Sequence, residues 1–290
     1  MHERAALIQA VRSFFIGQGF LEVDTPIRIP APAPEAHIEP EPAGEWYLQT
    51  SPELCMKRLL AAGCARIFQI CKCFRRHERG HLHLPEMTML EWYRAGADYH
   101  DLMNDCEGLF AALARDRQIM VDGKPITLAP PWPRLTLAEA FRLYAPISLQ
   151  QALTDECFEE TLVQDVEPRL GLETPVFLCD YPASLASLAR LHPDNPAVAQ
   201  RFELYVNGVE LANGFSELTN APEQRRRFQR EQEVIVGFGR QPGPMPEPFL
   251  ADLARMPAAA GIALGLDRLV MLLSGASSID QVVAFTPEEL

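Results

Sequence analysis

Between residues 3 and 20, apolar side chains fall at Leu7, Ile8, Val11, Phe14 and Phe15, the spacing of one helix face. The pattern stops at Gly17 and Gly19, where a helix C-terminus is expected. FLEVDTP then alternates as a strand ended by Pro26, and residues 28–45 are dense in proline and predict an exposed loop. A short helix is expected over 52–62, with Pro52 in its first turn. Two β-rich runs follow, RIFQICKCF and EMTMLEWYRAG, separated by about ten polar residues, so the order is strand, long loop, strand.

Residues 98–117 read as helix, 118–135 as a proline-rich connection and 136–170 as mostly helical. PVFLCDYPASLASLAR reads as a strand, a turn at Tyr181 and Pro182, and a return. In RFELYVNGVELANGFSEL, Asn207 and Gly208 stand between two alternating runs and predict a two-residue hairpin turn with positive φ at both positions. Residues 222–236 form a polar helix carrying Arg225, Arg226, Arg227 and Arg230, either a solvated face or a patch for an acidic protein partner. The chain then runs through GIALGLDRLVMLL, a glycine-rich strand turning into an apolar helix.

A length of 290 residues suits one large α/β or α+β domain with insertions. The N-terminal stretch lacks a basic segment followed by an apolar one, and no run approaches the ~20 apolar residues that span a bilayer, so a soluble, cytoplasmic protein is expected. Seven cysteines without a repeating interval fit reduced thiols rather than a disulfide framework. A formal charge of −13, from 39 acids against 26 basic residues, argues against stable binding to nucleic acid.

With Asn207 and Gly208 as the turn, Tyr205 faces Glu210 and Glu203 faces Ala212, which makes Glu203 and Glu210 diagonal neighbours ~7–8 Å apart at Cα. Two such carboxylates repel, and a cation between them, Mg²⁺ beside a polyphosphate, is one resolution; solvated acids on an edge hairpin are the other. Asn213, Phe215 and Glu217 have the opposite parity, and a bulge at Gly214 would bring them to the same face. In CKCFRRHERGHLHLPEMTMLEWY, Cys71 and Cys73 are one residue apart with no second cysteine pair, a poor pattern for zinc. Arg75, Arg76 and Arg79, beside His77, His81 and His83, instead concentrate donors suited to phosphate.

FFIGQGFLEVDTP, FRRHERGHLHLPEMTMLEWY and GIALGLDRLVMLL resemble, in order and spacing, motifs 1, 2 and 3 of class II aminoacyl-tRNA synthetases, and TSPELCMKRLL with ELANGFSEL is similar to the lysine branch. The resemblance implies an α+β catalytic fold, a six- or seven-stranded, mostly antiparallel sheet flanked by helices, a homodimer built on motif 1, and adenylation of an amino acid by ATP with Mg²⁺. On matching positions it implies that Arg75 holds the α-phosphate and the substrate carboxylate, that His83 reaches the ATP, and that Arg268 grips the γ-phosphate. Leu211 and Gly265 are expected against the nucleotide, and Glu203 and Glu210 as metal ligands. Ser51, Glu53, Glu91, Tyr93, Asn213, Phe215, Glu217 and Ala263 are expected around the amino acid. His77 and Leu84 depart from the family pattern on the adenine side, where Glu78 would substitute for His77 if the loop shifts by one residue.

An anticodon-binding barrel ahead of motif 1 has no room, so residues 1–290 are expected to be one catalytic domain. ASLASLAR, ELANGFSELT and RLVMLLSGASSIDQVVAF are similar to the elongation factor P–lysine ligase family, and Ala263 stands where lysyl-tRNA synthetases generally have glycine. That resemblance implies activation of lysine, in the (R)-β form, and its transfer to a lysine of elongation factor P; charging of tRNA by a stand-alone synthetase is the alternative.

Overall fold

The computed structural model describes residues 1–114, 116–121 and 123–290. Helix α1 (His2–Gly17) ends as expected, with Gly19 in the left-handed region at φ +77°. Its buried Phe15 stacks on Phe68 and touches Phe20 and Trp92, an aromatic cluster that seats α1 on the sheet. The chain continues through β1 (Leu21–Glu22), α2 (Glu53–Ala61), β2 (Arg66–Phe74), β3 (Glu86–Ala95) and α3 (Tyr99–Leu113). Asp98 caps α3 by accepting from the His100 and Asp101 N–H groups, and the Asp101 carboxylate accepts from the Asp98 N–H. After these come β4 (Arg134–Thr136), β5 (Val176–Cys179), β6 (Arg201–Val206), β7 (Val209–Ser216), α4 (Ala221–Gly237), β8 (Ala259–Gly265) and α5 (Leu266–Ser274).

Among the described residues, eight strands form the main sheet, in the order β1-β2-β3-β8-β7-β6-β5-β4. The six central strands are antiparallel throughout, while the short edge strands β1 and β4 pair parallel to β2 and β5. The expected six or seven strands are therefore the central six plus two edges, which sequence underestimates because each edge strand is only two or three residues long. One sheet face is covered by α1, α3 and α5, whose Leu102, Leu109, Leu269 and Leu272 share a core with Phe68, Trp92, Phe202 and Ile262.

Three local expectations change. Residues 28–45 are no exposed loop: Ile29, Pro32, Pro34 and Ala36 are buried, and Arg28–Ile29, Trp46–Leu48 and Pro42–Ala43 form a small three-stranded sheet. The connection 118–135 contains a hairpin of Gln118–Val121 with Lys124–Thr127. Beyond Cys179 the chain does not return as a strand but turns through a 3-10 segment, Ala183–Leu185. Proline density hid the first two, because small sheets made of two- to four-residue strands carry almost no alternation.

The β6–β7 hairpin turns on Asn207 and Gly208, at φ +52° and +71°. Tyr205 pairs with Glu210 as expected, but the register then shifts, so that Leu204 pairs with Ala212 and Glu203 with Asn213. The bulge is thus at Leu211, not at Gly214. Gly214 serves close packing instead: a Cβ there would lie 2.7 Å from the Phe202 ring. The extra residue puts Asn213 and Phe215 on the face that carries Glu203.

Candidate active site

On the sheet face opposite the α1–α3–α5 core, a cleft of about 400 Å³ is walled by the ends of β2 and β3, by β6, β7 and β8, and by the start of α5. At one end Arg75, which follows β2, has its backbone N–H held by the Pro85 carbonyl while its buried Nε has no hydrogen-bond partner among the described residues. Glu78 lies 3.8 Å from the Arg75 guanidinium and lines the cleft. His77 does not; it is exposed, with φ +65°. Past this left-handed turn it is Glu78, not His77, that lines the cleft.

Arg268, in the first turn of α5, donates to the Leu82 and Glu210 carbonyl oxygens and to Nε2 of His83. Burial, then the charges of Arg268 and Arg75, lower the His83 pKa to about 4, so the imidazole stays neutral and accepts from Arg268. Leu211 and Gly265 line the same end, and the nearest neighbour of a Cβ on Gly265 would be the Arg268 side chain, 3.6 Å away. Leu84 is buried in the main core while lining the cleft, which explains an apolar residue there. Arg79, read as a phosphate donor, instead makes a four-bond fork to Asp280 and Glu288. Its job is to fasten the loop to the C-terminal segment.

Ser51, Glu53, Asn213, Phe215 and Ala263 line the opposite end. Ala263 pairs with Glu91 on one side and Asn213 on the other, so its methyl lies on the sheet face that forms the cleft floor. Glu91, Tyr93 and Glu217 stand behind this wall, each buried. Ser51 Oγ and Tyr93 Oη donate to the two Glu91 oxygens at 2.6 and 2.8 Å. Burial, then the Glu53 charge, pushes Glu91 up to about 7. Glu217 rises to about 8, chiefly from burial against the opposing pull of Lys57.

Lys57 was not foreseen. Its ammonium, buried on α2, lies 2.5 Å from both Glu53 and Glu217 and 4.9 Å from the Phe215 ring centroid. One cation therefore pairs with two carboxylates while a third, Glu91, lies close enough to feel its charge, and Glu217 Oε1 keeps no hydrogen-bond partner among the described residues. The cluster is short of positive charge. Gly261, also missed, is what lets it close: a Cβ there would enter the Tyr93 ring and stand 2.5 Å from Glu217 Oε1. The signal was present in the glycine-rich strand, but only the pairing of Gly261 with Tyr93 and Phe215 gives it meaning.

Glu203 is more fully engaged than expected for a metal ligand. Arg201 and Asn213 donate to one oxygen, and Tyr181 and Tyr205 to the other. Glu210 is freer: its carboxylate is 3.7 Å from Arg268, and the cleft's low polarity with the nearby Glu203 charge lifts it to about 7. The donor set thus fits a cation in part, with Glu210 available and Glu203 committed first to Arg201. Among the described residues, no group of three or more His, Cys, Asp or Glu is arranged to hold a metal by itself. Cys71 and Cys73, 3.9 Å apart at sulfur, lie on β2 outside the cleft lining.

The family model described as tRNA synthetases class II (D, K and N) matches residues 1–289. The chain is 40% identical over 305 residues to an elongation factor P–(R)-β-lysine ligase of Vibrio vulnificus strain YJ016, covering 98% of this chain and 94% of the relative. Proteins of the same name from Klebsiella pneumoniae subsp. pneumoniae and Salmonella paratyphi B are 39% and 40% identical over 313 residues, with the same coverage.

Proposed function

Since the chain belongs to the class II tRNA synthetase family and, within it, to the elongation factor P–(R)-β-lysine ligases, we propose that it activates (R)-β-lysine with ATP and transfers it to a lysine side chain of elongation factor P. The observation that carries this reading is one cleft with guanidinium groups at one end and a cation-deficient acid cluster at the other, where Ala263 and Asn213 form the floor.

The first step joins the amino-acid carboxylate to the α-phosphorus of ATP, with pyrophosphate leaving. Arg75, which lines the cleft, would neutralise both reacting anions. Arg268 neutralises the far phosphates, while neutral His83 orients it without adding a competing charge. Glu210, with Glu203 beside it, would hold Mg²⁺, whose charge would shield the triphosphate. Asn213, Ser51 and the cage fix the amino groups, so the rate gain comes from positioning more than from proton transfer. A second chain is proposed to complete a homodimer on the motif 1 face, where Ile16 and Leu21 are exposed. The relatives' names speak for a protein acceptor, and tRNA charging is not favoured.

ATP–pyrophosphate exchange with a panel of amino acids tests the activation step. Exchange should be stimulated by (R)-β-lysine more than by α-lysine, and by neither aspartate nor asparagine. Exchange driven by aspartate or asparagine would contradict the reading of the cage.

A further inference from the structure

Six acids line the cleft, and five of them have a cation: Glu53 has Lys57, Glu78 has Arg75, Glu203 has Arg201, Glu210 has Arg268 and Asp267 has Arg4. Glu35 is the exception. Among the described residues its carboxylate makes no hydrogen bond or ion pair. The residue comes from the proline-rich segment, yet its position is fixed: the Ala36 N–H donates to Glu231 and the Ala36 carbonyl accepts from Arg240. Its electrostatic neighbours are Glu53 and Glu231, which oppose its ionisation, and Arg75 and Arg201, which favour it. Glu35 therefore lines the same cleft as Glu53 of the amino-acid end and Arg75 of the α-phosphate end. The acyl carbonyl of an aminoacyl-adenylate belongs between those two ends.

We propose that Glu35 receives the ammonium of the acceptor lysine and takes its proton in the transfer step, a reading that rests on the protein-ligase function proposed above. The small amino acid already has its acids in the cage, whereas Glu35 is the lining acid left without a cation. In the step itself, the acceptor nitrogen gives one proton to Glu35 and its freed lone pair forms the C–N bond. The bond from the acyl carbon to the phosphate oxygen breaks, its electron pair leaves on AMP, and the second nitrogen proton goes to water. Burial, with the Glu53 and Glu231 charges, raises Glu35 to about 7, near the optimum for a general base at neutral pH.

The test compares Glu35→Gln with the native enzyme in two assays, pyrophosphate exchange and single-turnover transfer from preformed adenylate to elongation factor P. Transfer should fall by ~100-fold or more beyond any fall in exchange. Native transfer should rise with pH and level off above about 7, whereas in Glu35→Gln it should keep rising toward pH ~10 with the free-amine fraction. Glu35→Asp, which keeps the carboxylate, should restore the plateau and so separates the base from a folding role. Equal loss in both assays, or unchanged transfer with an unchanged pH profile, overturns the proposal. Native enzyme that exchanges but transfers to no protein amine overturns the ligase reading, and the base with it.

Discussion

Ala263 and Lys57 show how single side chains set the chemistry of the cleft. The Ala263 methyl lies between Glu91 and Asn213, so it narrows the floor where an amino group must lie. Ala263→Gly should shift exchange toward α-lysine by roughly 10-fold or more, a methylene-sized discrimination of about 1–3 kcal/mol, read as the ratio of kcat/KM values. Removing the Lys57 charge leaves Glu53 and Glu217 facing each other, so Lys57→Met should destabilise the fold by about 3–5 kcal/mol in denaturant melts, and adding Glu217→Gln should recover part of the loss. Glu91 and Glu217 are raised to about 7 and about 8 from 4.5, so the folded state binds more protons than the unfolded one between those limits. Stability present at about pH 4.5 is therefore lost as pH rises through 7–8. A cationic amino acid favours the ionised acids, and its binding near pH 7 should release protons, seen by calorimetry in buffers of different ionisation heat. None of these cage effects could be read without the fold, because Lys57 reads as an ordinary helix residue until α2 sets it against Glu217.

Among the elements, the β6–β7 hairpin was the most legible and also the most instructive. Asn-Gly fixed its turn and the pairing of Tyr205 with Glu210, because positive φ at both residues leaves few alternatives. The bulge was inferable from the parity of Asn213 and Phe215, yet its position was not, since Gly214 offered a plausible host and only the Phe202 ring claims it. The motif 2 loop behaves likewise: its strands were plain, but His77 at φ +65° and the tie of Arg79 to Asp280 and Glu288 depend on a tail some 200 residues away. Gly261→Ala should drive Tyr93 and Glu217 from their places, cost about 1–3 kcal/mol, and raise KM for the amino acid far more than KM for ATP in exchange assays.

At the scale of the whole molecule, the central antiparallel sheet and its order of motifs were visible in sequence, whereas the wall made by residues 28–48 was not. That wall supplies Glu35 to the cleft, and its prolines and two-residue strands gave no periodic sign of it. The arginines of α4 change meaning too: Arg225 pairs with Glu247, while Arg226 and Arg227 pair with Glu223 on their own helix. Arg230, the fourth arginine of that helix, is exposed and makes no ion pair among the described residues. As proposed, this cleft makes a β-lysyl-adenylate and delivers it to a protein. Intact-mass analysis of elongation factor P after incubation with the enzyme, ATP, Mg²⁺ and (R)-β-lysine, with tRNA present as a competing acceptor, tests it most directly. One added lysyl unit on the protein, lost in Arg75→Ala, and no charged tRNA are expected; unmodified protein beside lysylated tRNA would rule out a protein acceptor.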